Sequence, residues 1–310
     1  MRGNWSRLTL RRLGMARLDL GLVPALPAGV EQDQFVLHFQ PEVELASGAL
    51  VGMEALLRWQ HPERGLLWPR QFLPVAETAG LLGLLGWWVI EHCIVEARAW
   101  QDLPGADGRP VQTLWINVAG EHVAEPDFVD RVRAHLAAAG LRPGAIGLEL
   151  TEEALAPLGS RATRVLGDLH AAGVALAVDD FGTWYSSFAT LGELPVDAVK
   201  LDASFVRGVG SDLEEDSIVG SVIRLAHAHR LVVVAEGVES WAEGARLCEL
   251  GCDRAHGYLF SAPIRAQRAR QLLARAAAWR GSLIGDPADD GLPYPRTSGT
   301  AAPTAARPLA

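Results

Sequence analysis

The sequence predicts an α/β fold, either an α/β barrel or a doubly wound sheet, and three observations support it. Short apolar runs recur between residues 34 and 280, and segments with helical periodicity separate them. Most of these runs end in an isolated polar or charged residue. The central run, Ala175 to Val178, lies between Gly173 and Gly182 and has the composition of a buried strand in a parallel sheet.

Polar residues at the strand ends are the candidate functional groups, because in a barrel these ends converge on one mouth where active sites lie. Asp179 and Asp180 follow the central strand. Adjacent side chains on a strand point to opposite faces, so this pair shares a site only where the strand ends and turns. Two carboxylates this close repel unless a cation lies between them, which predicts a divalent metal site. A solvated strand end, with Asp180 capping the next helix, is the alternative. The strand-end residues are Glu54, Asn117, Glu149, Asp179, Asp180, Lys200 and Glu236.

Eight strands follow from the apolar runs, which is enough for a barrel. Gln34 to Gln40 alternates in polarity, and Pro41 is expected to end this strand. Gly48 predicts a hairpin turn into the second strand, so the first two strands are antiparallel neighbours in an otherwise parallel sheet. The predicted strands cover residues 34–40, 50–59, 113–118, 145–151, 175–178, 196–202, 231–236 and 254–260.

Helices are predicted between these strands. Gly140 is expected to end the helix that precedes the fourth strand. Glu214 and Glu215 lie near the start of a long helix, where their charge complements the helix dipole. Residues 104–110 begin and end with proline and are predicted to form a loop. The predicted helices cover residues 69–80, 84–100, 126–139, 161–172, 184–191, 211–230, 241–250 and 265–280.

Composition limits the classes of function. The chain of 310 residues is 49% hydrophobic, which together with the alternation favours one large domain. Its net charge of −9 weighs against binding to nucleic-acid duplexes, which requires basic surface. A phosphate substrate stays open if metal ions supply the positive charge. Three cysteines are too few for a disulfide framework, so we expect a reducing, cytoplasmic location.

The two ends of the chain differ from its middle. Residues 1–33 contain several arginines and two prolines, and an acidic residue interrupts what would be a signal sequence. We expect a linker there, disordered in part, or the end of an unidentified sensory or partner domain. Residues 34–280 form the predicted barrel, and 281–310, rich in Pro, Ala and Gly, are predicted to be disordered. The apolar stretch 81–90 is too short for a membrane span.

Nine short motifs occur in a fixed order within the barrel segment. They are Phe39-Gln40-Pro41, Glu54-Ala55-Leu56-Leu57-Arg58, Phe72-Leu73-Pro74-Val75-Ala76-Glu77, Ile116-Asn117-Val118, Leu148-Glu149-Leu150-Thr151-Glu152, Asp179-Asp180-Phe181-Gly182-Thr183, Lys200-Leu201-Asp202, Ala235-Glu236-Gly237-Val238-Glu239 and Gly257-Tyr258. In this order they resemble the EAL-domain cyclic-di-GMP phosphodiesterases.

The resemblance implies a modified TIM (β/α)8 barrel with one antiparallel strand, acting as a homodimer. It implies two Mg²⁺ or Mn²⁺ ions and hydrolysis of cyclic di-GMP to linear pGpG. The residues at the family's ligand positions offer the hard oxygen atoms that these ions prefer. By position the ligands would be Glu54, Asn117, Glu149, Asp179, Asp180 and Glu236.

The resemblance also assigns roles beyond the metals. The catalytic set would be Glu54, Lys200, Glu236 and Glu152. Lys200 would orient the attacking water or lower its pKa, and a salt bridge to a neighbouring Asp is compatible with that role. Glu152 would anchor the loop after the fifth strand, which also contributes to dimerisation; capping a helix start is its alternative.

Substrate contacts form a separate group. Arg58, four residues after Glu54, would hold a substrate phosphate through paired N–H donors, with a surface arginine as the alternative. Gln40, Leu57, Asp202 and His256 are further candidates for the substrate pocket.

Two positions depart from the family pattern. Trp184 stands where glycine is usual, and because tryptophan cannot adopt every backbone conformation open to glycine, the loop would be reshaped. His256 stands where glutamine is usual, and histidine titrates near neutrality, which predicts reduced turnover or a changed pH profile. These departures motivate a second interpretation, a catalytically weak cyclic-di-GMP receptor that signals through a partner. An interaction scaffold would predict the loss of several ligands, and none is lost.

Overall fold

The computed structural model describes residues 19–103, 113–156, 159–182, 192, 194–210 and 213–275. The strands are β1 (Phe35–Glu44), β2 (Leu50–His61), β3 (Gly65–Leu67), β4 (Thr113–Asn117), β5 (Ile146–Thr151), β6 (Ala175–Phe181), β7 (Ala198–Leu201), β8 (Val232–Ala235), β9 (Arg254–Ala255) and β10 (Ile264–Arg265). After a 3-10 turn at Leu20–Leu22, the helices are α1 (Ala25–Glu31), α2 (Pro69–Thr78), α3 (Leu82–Trp100), α4 (Gly120–Val123), α5 (Phe128–Ala139), α6 (Glu152–Leu155), α7 (Ser160–Ala171), α8 (Ala203–Val206), α9 (Leu213–Ala228), α10 (Trp241–Glu249) and α11 (Ala266–Arg275).

Eight of the strands close into a barrel. The order is β1-β9-β8-β7-β6-β5-β4-β2, and β2 pairs back with β1 to complete the ring. All pairs from β2 and β4 round to β8 and β9 are parallel, whereas β1 is antiparallel to both β2 and β9. The predicted α/β barrel with one antiparallel strand is therefore confirmed, and the doubly wound sheet is excluded. The short strands β3 and β10 extend the sheet beyond the ring.

Small residues inside the barrel make room for one large side chain. Trp115 lies in the interior against Ala177 and Ala198 and is 3% exposed. A Cβ on Gly147 would lie 2.2 Å from the Trp115 ring, so only glycine fits beside it. At the end of the barrel away from the mouth, buried Glu42 accepts a hydrogen bond from Arg254, with Nη1 to Oε1 at 2.9 Å. The lower half of the barrel is thus filled.

The larger core lies between the barrel and its surrounding helices. Its aromatic centre stacks Phe35 on Trp59, with Phe72 of α2 and Trp88 of α3 packed against Phe35. Within the described residues, no helix is both long enough and apolar enough to cross a membrane.

Several element boundaries differ from prediction. β1 continues through Pro41 to Glu44 because β10 pairs at Phe39 and β9 begins pairing at Val43. On the side of β1 that faces β9 and β10, Pro41 therefore lies between the two paired segments. No carbonyl of β9 or β10 is paired with Pro41, so its lack of an N–H breaks no hydrogen bond on that side. The predicted strand 254–260 ends at Ala255, since the Phe260 and Ser261 N–H groups both donate to the Gly257 carbonyl and form a tight turn.

The segment predicted as a linker is partly folded. Residues 25–31 form α1, and Leu22 and Leu26 are buried in the main core. The packed part of the chain therefore begins before residue 34. Residues 1–18, the loop 104–110, the helix predicted at 184–191, Trp184 and the tail 281–310 lie outside the described residues.

Gly147→Ala is expected to lower the free energy of unfolding by about 1–3 kcal/mol, because the new methyl group overpacks the barrel interior against Trp115. Urea denaturation of both proteins measures the difference. Gly167→Ala in α7 is the matched control: nothing lies within 4 Å of its added Cβ, so it should be neutral or slightly stabilising. Equal stability of Gly147→Ala and wild type would contradict this account of the interior.

Candidate metal centre

The Lys200 side chain lies at the centre of the barrel mouth, on β7, and is 1% exposed. Its Nζ lies 2.7 Å from Glu236 Oε1 and 2.9 Å from Glu149 Oε2. Glu54 Oε2 at 3.3 Å and Asp179 Oδ1 at 3.9 Å complete the ring of carboxylates. Side chains from four strands or their ends therefore converge on one ammonium group, as predicted, although Glu54 lies within β2, which continues to His61.

Backbone pairing fixes the residues that follow β8 and β9. The Glu236 N–H donates to the Leu201 carbonyl and the His256 N–H donates to the Ala235 carbonyl, each at 3.0 Å. The parallel ladder thus continues one residue past each strand. It brings His256 Nε2 to 3.1 Å from Glu236 Oε1 and 3.5 Å from Glu54 Oε2.

Asp179 and Asp180 share the mouth because β6 is irregular there. The pairing of β6 with β7 shifts register between Val178 and Phe181, and Asp180 has a φ of 53° in the left-handed region. The Asp180 N–H donates to Asp179 Oδ1 at 2.9 Å. The prediction was that Asp179 and Asp180 could share a site only where the strand ends and turns. The structure instead has a bulge at this pair, and the strand continues to Phe181.

Two groups of oxygen and nitrogen ligands lie close enough to share a cation. One atom each of Asp179, Asp180 and Glu236 lie within 4.8 Å of one another, and the same holds for Glu54, Glu236 and His256. Glu236 belongs to both groups. Asn117 lies beside the second group, where its Nδ2 donates a hydrogen bond to Glu54 Oε1 at 2.7 Å.

The charges of this cluster are unbalanced. Burial raises the pKa of Glu149 well above its usual value, and burial together with the nearby Glu236 raises the pKa of Asp179. Burial alone would lower the pKa of Lys200, but the surrounding carboxylates, Asp179 foremost, raise it well above its usual value. Burial would likewise raise the pKa of Glu236, yet Lys200 and His256 hold it below its usual range.

These residues fit divalent metal ions. Five carboxylates, those of Glu54, Glu149, Asp179, Asp180 and Glu236, face a single lysine, so when all five are ionised the cluster carries excess negative charge that divalent cations, in place of protons, would neutralise. Carboxylate and amide oxygens suit hard ions such as Mg²⁺ and Mn²⁺.

Arg58 lies near the same mouth. It is four residues after Glu54, so the two side chains lie on the same face of β2. It is 2% exposed, so the surface-arginine alternative is wrong. Its Nη1 donates to the Leu57 carbonyl at 2.8 Å, and its guanidinium carbon lies 4.3 Å from the centre of the Trp68 ring. The buried ring of His38 is nearby, and burial together with Arg58 lowers its pKa to about 4, so His38 is neutral at pH 7.

The remaining predicted residues lie in varied settings. Gln40 is buried, and its Nε2 donates to the Ser261 carbonyl at 3.1 Å. Asp202 is the N-cap of α8, where its carboxylate accepts the Ser204 N–H. Glu152 is buried at the first position of α6, where Thr151 supplies the cap. Trp68, beside Arg58, was not among the predicted site residues; its one sequence signal is its position directly before Pro69 and α2.

An apolar cavity of about 370 Å³ adjoins the carboxylates. Asn117 and Glu149 line it on the side of the metal centre, and Leu57, Leu73 and Leu85 provide apolar wall. Leu57 therefore contributes to the wall of this cavity, on the face of β2 opposite to Glu54.

Comparison with known proteins gives concordant matches. The family model described as EAL domain matches residues 24–263. The bifunctional diguanylate cyclase/cyclic di-GMP phosphodiesterase MucR of Pseudomonas aeruginosa is 37% identical over 262 residues, covering 84% of this chain and 37% of the relative. The cyclic di-GMP phosphodiesterase NbdA of the same organism is 36% identical, covering 85% of this chain and 33% of the relative. The chain thus spans about a third of the length of these curated relatives.

The solved structures include a similar barrel. The PaMucR phosphodiesterase in complex with c-di-GMP has a TM-score of 0.75 and 36% sequence identity, covering 80% of this chain and 99% of that structure.

Mn²⁺ binding is expected to release protons and to strengthen as pH rises. Burial holds the pKa values of Glu149 and Asp179 above normal, so protons compete with the ion at low pH, and affinity should rise by up to about tenfold per pH unit for each proton released. Calorimetry in two buffers of different ionisation heat counts those protons. Asp130→Asn, at an exposed position of α5, is the control and should behave as wild type. A pH-independent affinity without proton release would refute the assignment.

Proposed function

The chain belongs to the EAL domain family, and we propose that it is a metal-dependent phosphodiesterase that hydrolyses cyclic di-GMP to linear pGpG. The observation that carries the proposal is the convergence of five carboxylates and Asn117 around Lys200, beside the buried Arg58. The relatives named as cyclic di-GMP phosphodiesterases match this chain over 262 and 263 residues. The apolar cavity beside the carboxylates provides the kind of surface against which a nucleobase packs.

Two divalent ions would be held by Glu54, Asn117, Glu149, Asp179, Asp180 and Glu236. When bound, they would neutralise the phosphate charge and supply a hydroxide nucleophile at neutral pH. In the reaction, water adds to phosphorus and one ester P–O bond breaks, which opens the cyclic dinucleotide.

Lys200 acts as a hydrogen-bond donor in this proposal. Its raised pKa keeps the ammonium group charged at neutral pH, so it cannot accept a proton from the attacking water. Instead its three N–H donors hold Glu236, Glu149 and Glu54 in place, with Nζ 2.7, 2.9 and 3.3 Å from their oxygens, and Lys200 would orient the attacking water through these carboxylates.

Arg58 binds the phosphodiester. Its guanidinium offers two parallel N–H donors to phosphate oxygens, a geometry that lysine lacks. Gln40 lies on the neighbouring strand β1, paired with Glu54, and Leu57 contributes to the apolar cavity. We further propose a cytoplasmic location and a homodimer; a monomer by light scattering at working concentration would remove the second proposal.

A cyclic-di-GMP receptor with weak or no turnover is the second candidate. The hydrogen bond between His256 Nε2 and Glu236 Oε1 favours it, because an imidazole there occupies a carboxylate that a metal ion would use. A receptor would bind the nucleotide without releasing product.

Purified protein incubated with cyclic di-GMP and Mg²⁺ or Mn²⁺ is expected to release pGpG. Chromatography of samples taken over time measures this product. Glu54→Ala and a chelator should each lower the rate by about 100-fold or more, because each removes the shielding of the phosphate charge. Binding without product would move the protein to the receptor class, and hydrolysis that survives the chelator would refute the metal mechanism.

His256→Gln is expected to raise turnover and to flatten the acidic side of the pH–rate profile. Glutamine removes the imidazole whose Nε2 lies 3.1 Å from Glu236 Oε1, an oxygen that a metal ion would use, and its amide carries no titratable proton. Steady-state rates between pH 6 and 9 for both proteins test this. Superimposable profiles would show that His256 only provides hydrogen bonds.

A further inference from the structure

The Arg58 guanidinium lies over the ring of Trp68. The distance from the Arg58 Cζ to the centre of the Trp68 ring is 4.3 Å, within the range of a cation–π contact. Arg58 itself is 2% exposed, so the contact is largely desolvated, the setting in which such contacts are strongest.

Trp68 is held firmly in this position by its backbone. It is extended (φ −89°, ψ 154°) and directly precedes Pro69, the first residue of α2. Its N–H donates to Gln71 Oε1 at 2.8 Å, which ties it to the first turn of the helix. The ring is therefore carried by the start of α2, while Arg58 is carried by β2.

We propose that Trp68 is a positioning residue for substrate binding, which fixes the plane of the Arg58 guanidinium so that its N–H donors meet the phosphodiester already oriented. This inference rests on the proposed function of Arg58 as the phosphate-binding residue. Trp68 lies outside the nine motifs, so the inference adds a residue to the proposed substrate-binding site and makes the start of α2 part of that site.

Two described contacts restrict the orientation of the Arg58 guanidinium. Nη1 donates to the Leu57 carbonyl at 2.8 Å, and the Trp68 ring centre lies 4.3 Å from Cζ. In the proposed arrangement the hydrogen bond holds the guanidinium within its plane and the ring opposes motion out of that plane. Bidentate recognition of phosphate requires both, since two parallel N–H···O bonds form only in one plane. Without the ring, Arg58 would have to be ordered when the substrate binds, and affinity would fall.

A purely structural role for Trp68 makes a different prediction. In that case its replacement would lower stability and would act independently of Arg58. A second arginine–tryptophan contact, Arg131 over Trp87 at 3.5 Å, joins α5 to α3 outside the barrel and supplies a control for the loss of such a contact.

The test is a double-mutant cycle on the full chain with cyclic di-GMP and Mg²⁺. Trp68→Leu should raise KM by about 10- to 30-fold with little change in kcat, the size expected of a desolvated cation–π contact that acts equally in ground and transition states. Trp68→Phe retains a ring face and should stay within about threefold of wild type. In an Arg58→Ala background, Trp68→Leu should have no further effect. Arg131→Gln should leave KM unchanged.

A second measurement requires no substrate. The Nε–Hε signal of Arg58 in ¹⁵N NMR, assigned by its loss in Arg58→Lys, should be sharp in wild type and broadened in Trp68→Leu as the side chain becomes mobile. An unchanged signal, an unchanged KM, or an equal penalty in the Arg58→Ala background would each overturn the inference. If wild type neither binds nor hydrolyses cyclic di-GMP, the proposed function fails, and the NMR signal still decides whether Trp68 orders Arg58.

Discussion

The contact of one ammonium group with four carboxylates is the interaction on which the mouth of this barrel depends. Without Lys200, Glu54, Glu149, Asp179 and Glu236 would face one another in a poorly solvated space, where like charges repel strongly. With it, they share a cation yet still carry excess negative charge. This partial neutralisation lets the barrel fold around a site that can accept further cations.

The barrel interior has two parts, a filled lower half and an upper half that carries the acidic cluster. The lower half is closed by the bulk of Trp115, which the absence of a side chain at Gly147 permits, and by the buried pair of Glu42 and Arg254. The upper half carries the acidic ring. Because these side chains fill the lower half, the carboxylates lie at the mouth, the side on which Arg58 and the apolar cavity also lie. The geometry therefore concentrates the acidic cluster, the Arg58 guanidinium and the apolar cavity on one face.

The sequence predicted the strand-end residues well because a parallel barrel imposes a simple rule. Residues at the ends of neighbouring strands meet, whatever their distance along the chain, so Glu149 and Lys200 could be placed together from their positions alone. Failures came where a local hydrogen bond outweighed the apolar pattern. The Gly257 carbonyl accepts two N–H groups and ends β9 early, and the edge gap beside Pro41 lets β1 continue. Helix α1 and the Trp68 stack depend on packing between distant segments, which periodicity does not encode.

The reversed direction of β1 has a consequence for how the barrel connects to whatever is fused to it. In an all-parallel barrel the chain enters the first strand at the face opposite the catalytic mouth. Here Phe35, the first residue of β1, pairs with Trp59, near the end of β2 that lies on the mouth side. A domain attached ahead of α1 would therefore join the barrel on the side of the mouth, where the turn at Leu20–Leu22 contacts α2.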